Sequence, residues 1–230
     1  MEKYIWIGGK HSVEAAILKK KRKILEVVSL QKNKFLDDNK IKYEIKNNSF
    51  FNKIFSQTHV AHQGLAALVS GLPYMTLEEI HKDKNIIVLD GITDPGNIGS
   101  IIRSCVAFGI KSIIVKDREF NDKNQAMIKT SSGAIEEINV CKVVNIVNAI
   151  KWLKKKEFWA VCLDSGSKFN IHEHTWNKKN ILILGSEGKG VSKIIKENCD
   201  YTIKINISKK VESLNVSNAA AVALYYLNNL

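Results

Sequence analysis

Short apolar runs alternate with amphipathic segments through the second part of the chain, from Asn85 onward. The apolar runs are IIVL at 86–89, SIIV at 112–115, INVCKV at 138–143, FWAVCL at 158–163, ILIL at 181–184 and YTIKINI at 201–207. The segments between them predict helices at 98–108, 146–155, 192–197 and 216–227. Continuous apolar strands separated by amphipathic helices indicate a parallel sheet covered on both faces. We therefore predict an α/β domain over residues 85–230.

The first 75 residues have a different pattern and predict a second, smaller α/β domain. Gly8-Gly9 ends a short apolar strand, and residues 11–18 form a short helical face that Ser12 would cap. Residues 24–30 and 65–69 predict further strands. Ser70-Gly71-Leu72-Pro73 breaks this unit, and Leu77 to His81 is predicted as a short polar connector. The division is therefore 1–75, a linker at 76–84, and 85–230.

The composition is that of a globular protein with a strongly basic balance. Of 230 residues, 45% are hydrophobic and 25% charged, which excludes disorder, collagen and coiled coil. The net charge of +12 favours a polyanionic partner, either nucleic acid or an anionic surface. Charge that serves only solubility, or an AT-rich genome encoding many Lys, Ile and Asn residues, would also explain it. The densest run, Lys19 to Lys23, is either a solvated turn or a phosphate-contacting loop.

Targeting and metal signals are not found in the sequence. No apolar run approaches the roughly 18 residues that span a bilayer, and the start lacks a signal-peptide pattern. The four cysteines contain no CxxC pair, so we expect buried, reduced thiols in a cytoplasmic protein. No metal site is predicted, because His59, His62, His172 and His174 form no i, i+4 pair.

The first candidate motif runs from Leu89 to Arg103, after a buried strand and into a helix. Ligands of open parallel sheets bind beyond the carboxyl ends of the strands, where glycines permit close approach and helix starts offer free N–H groups. The spacing of Gly96 and Gly99 does not fit the Rossmann pattern. Asn97 is either a helix cap or a site residue, and Arg103 is either a surface arginine or a functional one.

The second candidate motif, Leu184 to Val191, also follows an apolar strand. Only two residues separate Gly185 from Gly188-Lys189, and Gly190 follows, so the Walker pattern is excluded. What remains is a glycine-lined loop with one acid. Glu187 is either part of a site or a cap of the next helix.

The third candidate motif runs from Ile205 to Leu224, from a strand through a polar loop into an alanine-rich helix. The small residues between Ala219 and Ala223 permit close packing, either on the sheet or on a second subunit. Ser213, Asn215 and Ser217 are suited to capping that helix.

Together and in this order, the three motifs resemble those of the SpoU, or TrmH-type, RNA ribose 2'-O-methyltransferases. The family's three motifs are Asn-x-Gly-x-x-x-Arg, Gly-x-Glu-x-x-Gly and Ser-Leu-Asn-Val-Ser, matched by Asn97/Gly99/Arg103, by Gly185/Glu187/Gly190 and by Ser213 to Ser217. The segment KTSSGA at 129–134 is also similar to the family, and the likeness covers about residues 84–230. The stretches IWIGGKHSVEAAI and THVAHQGLAALV resemble the small RNA substrate-binding domain of the bacterial 23S rRNA branch.

The resemblance implies a SPOUT-type α/β fold: a parallel sheet with a deep trefoil knot in the C-terminal domain, and a small N-terminal RNA substrate-binding domain. It implies a homodimer and S-adenosylmethionine as cofactor. The implied cofactor contacts are Leu163, Gly185, Ile205 and Leu214.

The implied reaction is methyl transfer to a ribose 2'-hydroxyl, with Arg103 at that hydroxyl. A guanidinium rarely deprotonates, so Arg103 acts either as the base or as a clamp on phosphate and the developing alkoxide. Asn97 and Glu187 would orient Arg103, and Ser213 and Asn215 would shape the acceptor pocket.

The branch likeness implies a guanosine in 23S rRNA as the substrate, with RNA rather than DNA or a membrane as the partner. The alternatives are a tRNA guanosine and, from a different class, a non-catalytic RNA-binding ribosome-assembly factor. One departure from the family is Asn206-Ile207, where Pro-Met is usual, with Ser208-Lys209 following. The cofactor loop would then be looser, and Lys209 and Lys210 would equally well face RNA.

Overall fold

The computed structural model describes residues 4–56, 61–208 and 210–228, and these contain an ordered series of strands and helices. The strands are β1 (Ile5–Gly8), β2 (Ile24–Ser29), β3 (Glu44–Ile45), β4 (Leu65–Val69), β5 (Tyr74–Met75), β6 (Asn85–Asp90), β7 (Ser112–Lys116), β8 (Asn139–Val143), β9 (Trp159–Leu163), β10 (Phe169–Asn170), β11 (Asn180–Gly185) and β12 (Tyr201–Lys204). The helices are α1 (Lys10–Lys19), α2 (Lys34–Asp38), α3 (Asn48–Ile54), α4 (Leu77–Ile80), α5 (Pro95–Ala107), α6 (Gln125–Ser131), α7 (Ile146–Lys154), α8 (Lys193–Lys196) and α9 (Val216–Asn228).

Residue contacts divide the chain into two compact units, and the division is not a single cut. The first unit comprises Met1–Pro73 together with Asp122–Glu137, and the second comprises Tyr74–Asn121 and Ile138–Leu230. The segment from Asp122 to Glu137 therefore packs with the N-terminal residues although it lies between β7 and β8. This insertion is absent from the predicted division.

The first unit is a four-stranded sheet in the order β1-β4-β2-β3, packed against α1. β4 pairs antiparallel with both β1 and β2, and β3 adds parallel to β2. Val13, Ala16 and Ile17 of α1 lie in the core of this unit, together with Ile128 of the inserted α6. Thr58 and His59, which belong to the second N-terminal likeness, lie outside the described residues.

The lysine-rich run from Lys19 to Lys23 contains a buried arginine, so neither the solvated turn nor the phosphate loop describes Arg22. Its Nε lies 2.8 Å from Glu136 Oε1, and its Nη1 lies 3.9 Å from Asp122 Oδ2. Both carboxylates belong to the inserted segment. Arg22 is only 3% exposed, because a charge can be buried when an opposite charge accompanies it. The ion pair therefore fixes the insertion to the first unit.

Gly133 brings the inserted segment close to α1. Its φ of +86° is one that L side chains rarely adopt, and a Cβ there would lie 2.8 Å from the His11 carbonyl oxygen. Only glycine permits this approach.

The second unit is an eight-stranded parallel sheet in the order β10-β12-β9-β11-β6-β7-β8-β5. Helices α4, α7 and α8 pack on one face, while α5 and α9 pack together and α9 contacts β11. The predicted parallel α/β sheet is confirmed. In the described residues no helix is both long and apolar enough to cross a bilayer.

Several local predictions differ from the structure. The connector predicted at Leu77 to His81 contains α4, whose start is fixed by a reciprocal capping pair of Thr76 and Glu79. Ser12 is buried inside α1 and caps nothing; Gly9 precedes the helix. The last predicted strand stops at Lys204 rather than 207, because the chain turns there into the loop described below.

The burial of Arg22 predicts a large loss of stability when the ion pair is broken. We expect Arg22→Met to lower the free energy of unfolding by about 3–5 kcal/mol, since it leaves Glu136 buried without its counter-charge. The matched control is Lys19→Met, because Lys19 makes an exposed ion pair with Glu137 (2.7 Å) that is expected to contribute only about 0–1 kcal/mol. Urea denaturation of the wild type and the two variants measures both changes in unfolding free energy. Equal losses of stability in the two variants would contradict the structural role of Arg22.

The loss of stability in Arg22→Met is expected to depend on pH. Burial raises the pKa of the Glu136 carboxyl, while the charge of Arg22 opposes that shift. An acid whose pKa is raised in the folded state favours folding at low pH and loses that contribution as pH rises through the folded pKa. The deficit of Arg22→Met is therefore expected to be smaller at about pH 5 than at neutral pH, measured in the same denaturation series.

Candidate functional site

The carboxyl ends of three neighbouring strands in the second unit, β9, β11 and β12, border one cavity, and β6 lies next to β11. β6, β9, β11 and β12 are parallel neighbours, so the loops that follow them meet at the same edge. The cavity has a volume of about 260 Å³ and opens to solvent. Its wall is completed by the polar loop before α9 and by the first turn of α9.

Most of the predicted site residues line this cavity. They include the four predicted cofactor contacts and two of the predicted catalytic residues: Leu163, Gly185, Ile205, Leu214, Glu187 and Ser213. The second and third sequence motifs and the end of β9 therefore contribute to one recess. Ser213 makes no hydrogen bond with the described residues, so its hydroxyl is available there.

The loop after β11 is folded back on itself. The Gly190 amide donates to the Ser186 carbonyl at 2.8 Å, and these two residues form an antiparallel bridge. A Cβ on Gly185 would lie 2.1 Å from the carbonyl carbon of Gly190, so no other residue fits at this position. The backbone of the loop is thereby set along the cavity wall.

A network of three side chains joins the three motifs. The Asn215 side-chain amide donates to Glu187 Oε1 at 2.5 Å and to Asn97 Oδ1 at 3.0 Å. The Asn97 amide also donates to Glu187 Oε1, at 3.2 Å. The backbone N–H of Val216 is a third donor to that oxygen, at 3.3 Å. One carboxylate oxygen thus connects α5, the loop after β11 and the start of α9.

The structure shows which residues cap the helices at this edge, a question that the sequence left open for Asn97 and Glu187. The Asp94 side chain caps α5 by accepting from the backbone N–H of Asn97 at 2.7 Å. The side chain of Asn97 is therefore free to join the network. Asn215 does cap α9, because its Oδ1 accepts from the Ser217 amide at 2.9 Å. Glu187 accepts from the start of α9 and not from α8, which directly follows its loop.

Arg103 is the one predicted site residue that stands apart. It is exposed on α5, does not line the cavity, and makes no hydrogen bond or ion pair with any residue of the described ranges. Six residues are about 1.7 helical turns, so Arg103 projects from a different side of α5 than Asn97, about 9 Å further along the axis. No hydrogen bond among the described residues joins Arg103 to Asn97 or Glu187, so their role in orienting Arg103 stays a prediction.

The cavity wall is acidic although the chain is basic. Asp164, Glu187 and Glu212 line it, and no lysine or arginine is among the lining residues. One Asp164 oxygen is held by Lys196 Nζ at 2.7 Å. The remaining lining side chains are largely apolar or small. The recess is therefore suited to a ligand that combines an apolar part with a positive charge.

Asp90 and Asp164 are not among the predicted site residues, yet both support this edge. Asp90 is buried at the end of β6, where its carboxylate accepts from the Ser192 amide at 2.8 Å and from Lys116 at 3.1 Å. These bonds anchor the loop that carries Glu187. A carboxylate directly after an apolar strand is the sequence signal that both share.

The cavity wall is intact at Asn206-Ile207, where the sequence departs from the family motif. Ile205 and Ile207 both line the cavity, while Asn206 is exposed. Lys210 is exposed, and Lys209 lies outside the described residues. Across those residues no cluster of three His, Cys, Asp or Glu side chains is arranged to hold a metal ion. His59 is outside them.

Known protein families match both parts of the chain. The profile of the SpoU rRNA Methylase family matches residues 84–225. A second profile, for RNA 2'-O ribose methyltransferase substrate binding, matches residues 6–75. The two matches leave a gap at 76–83.

Individual relatives and solved structures agree with these matches. A Staphylococcus haemolyticus protein assigned to the TrmH family of tRNA/rRNA methyltransferases is 31% identical over 233 residues, 96% of this chain and 94% of the relative. The crystal structure of the SpoU methyltransferase AviRb from Streptomyces viridochromogenes with AdoMet has a TM-score of 0.83 at 21% identity, covering 97% and 88% of the two chains. A TrmH/SpoU tRNA modifying enzyme from A. aeolicus has a TM-score of 0.58 at 27% identity, covering 66% of this chain and 80% of that one.

The network around Glu187 predicts a local loosening when its carboxylate is removed. We expect Glu187→Ala to speed hydrogen exchange at the Val216 and Ser217 amides several-fold, because the charged acceptor at the start of α9 is lost. Lys189→Ala is the matched control in the same loop, since Lys189 is exposed and makes no ion pair in the described chain. Exchange measured residue by residue would contradict the network if both variants behaved alike.

Proposed function

The chain belongs to the SpoU rRNA methylase family, and we propose that it methylates the ribose 2'-hydroxyl of a guanosine in 23S rRNA. The enzyme class is that of the RNA 2'-O-ribose methyltransferases, whose family uses S-adenosylmethionine. The observation that carries the proposal is the convergence of Asn97, Glu187 and Asn215 at the edge of the acidic cavity.

The cavity suits S-adenosylmethionine, which carries a sulfonium, an ammonium and an aromatic base. The carboxylates of Asp164, Glu187 and Glu212 complement the positive charges, and the apolar side chains offer a surface for the base. Leu163, Gly185, Ile205 and Leu214 would hold the cofactor. When bound, it supplies an electrophilic methyl group.

The remaining chemistry belongs to the acceptor hydroxyl and the residues around it. A ribose hydroxyl is a poor nucleophile and must lose its proton as its oxygen is methylated. The Asn97–Glu187–Asn215 network would hold the acceptor side of the cavity in one geometry, so that alignment contributes to the rate. Ser213 would contact the acceptor nucleotide.

Arg103 would act from the exposed face of α5 as an electrostatic clamp. Having no partner among the described residues, its guanidinium is available for a phosphate next to the acceptor and for the developing alkoxide. Because a guanidinium hardly deprotonates, we favour this role over that of a base.

The choice of rRNA over tRNA rests on the first unit. The substrate-binding profile matches residues 6–75, and the AviRb structure covers nearly all of this chain, whereas the A. aeolicus tRNA modifying enzyme covers 66% of it. A separate RNA-gripping unit is suited to a large structured RNA. The choice of a guanosine as the methylated nucleotide rests on the likeness to the bacterial 23S rRNA branch.

Three further parts of the proposal follow from the family likeness. They are a homodimer, a cytoplasmic location and a trefoil knot in the second unit. Among the small residues of α9, Ala220 and Ala223 are fully buried in the chain itself. Tyr225 and Tyr226 are the exposed large hydrophobic residues of α9 and would be open to a second subunit.

The test is transfer of labelled methyl from S-adenosylmethionine to unmodified 23S rRNA and, separately, to unmodified tRNA. We expect 2'-O-methylguanosine in 23S rRNA alone, identified by nucleoside analysis. Label in tRNA alone would overturn the substrate assignment. Absence of label in both, with an assembly intermediate of the large subunit also tried, would overturn the proposed reaction.

The role of Arg103 predicts a separation of binding from transfer. We expect Arg103→Ala to reduce methyl transfer to background while the affinity for S-adenosylmethionine, measured by calorimetry, stays unchanged. Arg103→Lys keeps the charge without the planar fork and is expected to retain part of the activity. Equal loss of cofactor binding and transfer in Arg103→Ala would contradict the clamp.

A further inference from the structure

The amino-terminal edge of the eight-stranded sheet, opposite the cavity, carries a row of lysines. β9, β11, β6 and β7 are consecutive neighbours, and the chain enters each of them through a lysine-containing stretch. Because the strands are parallel, these entries lie at one edge. We call this row the lysine stripe, and its members are Lys82, Lys84, Lys111, Lys156, Lys178 and Lys179.

The stripe is not neutralised by the protein. None of its lysines forms an ion pair with a residue of the described ranges. Elsewhere in the same unit Lys116, Lys154 and Lys196 each pair with an aspartate. Two acids lie in the same stretches, Asp83, which accepts from the Ser112 hydroxyl, and Glu157, which is exposed, so the six lysines outnumber them and the edge stays positive.

Part of the stripe surrounds a recess. A second cavity, of about 340 Å³, is lined by Lys82, Lys84 and Lys111, by one acid, Asp83, and by an apolar wall that includes Phe108 and Ile110. Three lysines and one carboxylate give this recess a net positive charge, which favours a phosphate group.

The other end of the stripe adjoins a pair of exposed aromatic rings. Trp159 begins β9 and Tyr201 begins β12, and their ring centroids lie 5.8 Å apart at an interplanar angle of 28°. Each residue is 41% exposed. The Trp159 amide donates to the Lys179 carbonyl at 3.0 Å, so the rings are continuous with the stripe. Exposed stacked rings are a surface on which an unpaired base can stack.

We propose that the lysine stripe and the Trp159–Tyr201 pair form a second RNA-binding surface, which takes a single-stranded stretch of the substrate. Four strands about 4.8 Å apart span about 14 Å, so the lysines face several phosphates while a base stacks on the rings. Like charge disfavours a second copy of this edge as the occupant. The inference rests on the proposed function, because it takes RNA as the polyanion.

The first arm of the test measures the salt dependence of RNA binding. The variant is Lys84→Gln with Lys111→Gln, and the control is Lys168→Gln with Lys193→Gln, which removes the same charge from exposed positions outside the stripe. Affinity for an unmodified 23S rRNA transcript is titrated at several salt concentrations. Two lost single-strand phosphate contacts lower the slope of log K against log salt by about 1.4, and the control leaves it unchanged.

The second arm tests the rings with a single-stranded poly(U) dodecamer. Trp159→Ala is expected to weaken binding about tenfold, and Trp159→Phe, which keeps an aromatic ring, is expected to restore most of it. Phe169→Ala is the control, because Phe169 is an exposed aromatic residue on β10, outside the stripe and the ring pair.

The outcomes separate this inference from the proposed reaction. Equal slopes for the two lysine pairs, equal affinities for the two aromatic-to-alanine variants, or displacement by poly-glutamate but not by RNA would overturn the second RNA surface. A change of oligomeric state in the stripe variant, seen by sedimentation, would also overturn it, since the edge would then join copies. If the wild type transfers no methyl yet its binding depends on the stripe, the inference stands and the proposed reaction fails.

Discussion

A single carboxylate oxygen organises the carboxyl edge of the eight-stranded sheet. Glu187 Oε1 accepts from two side-chain amides and one backbone N–H, and these donors come from α5 and from the start of α9. The acceptor itself sits on a loop that can fold back only because Gly185 has no side chain. The network exists because parallel strands deliver their carboxyl ends to one edge, so residues 90 and 118 positions apart in the chain meet there.

Sequence pattern predicted the sheet well and the local details less well. The apolar runs located β6 to β9 and β11 within a residue or two, because strands buried on both faces are continuously apolar. Pattern did not find α4, whose four residues carry too little periodicity, and it set the end of β12 too late. The cavity residues came from motif resemblance, whereas the aspartates at 90 and 164 required the fold. Arg103 shows the limit of motif reasoning, since shared spacing does not imply contact.

The boundary of the first unit could not be predicted from composition, because contacts between distant parts of the sequence define it. The segment from Asp122 to Glu137 is joined to residues 4–73 by a buried ion pair, by the Leu72 amide donating to Asp122 at 2.8 Å, and by the close approach at Gly133. Each of these contacts links positions 50 or more residues apart. In the sequence, Arg22 is one cation in a run of five and carries no mark of burial. A buried charge is identified only when its counter-charge is found, and that information is tertiary.

Charge in the second unit is separated between the two edges of one sheet. The carboxyl edge has an acidic cavity without lysine or arginine in its wall, and the amino edge has a row of lysines that form no ion pair among the described residues. The net charge of +12 does not reveal this separation, because it carries no information on where the charges lie. The same separation is useful for an enzyme that brings a cationic cofactor together with a polyanionic substrate. Under the two proposals made above, each ligand is attracted to the edge of opposite sign, and the carboxylates of the cavity would repel RNA phosphates. The strands are five or six residues long, so the two edges are only about 17–20 Å apart, a distance that a short stretch of RNA bridges.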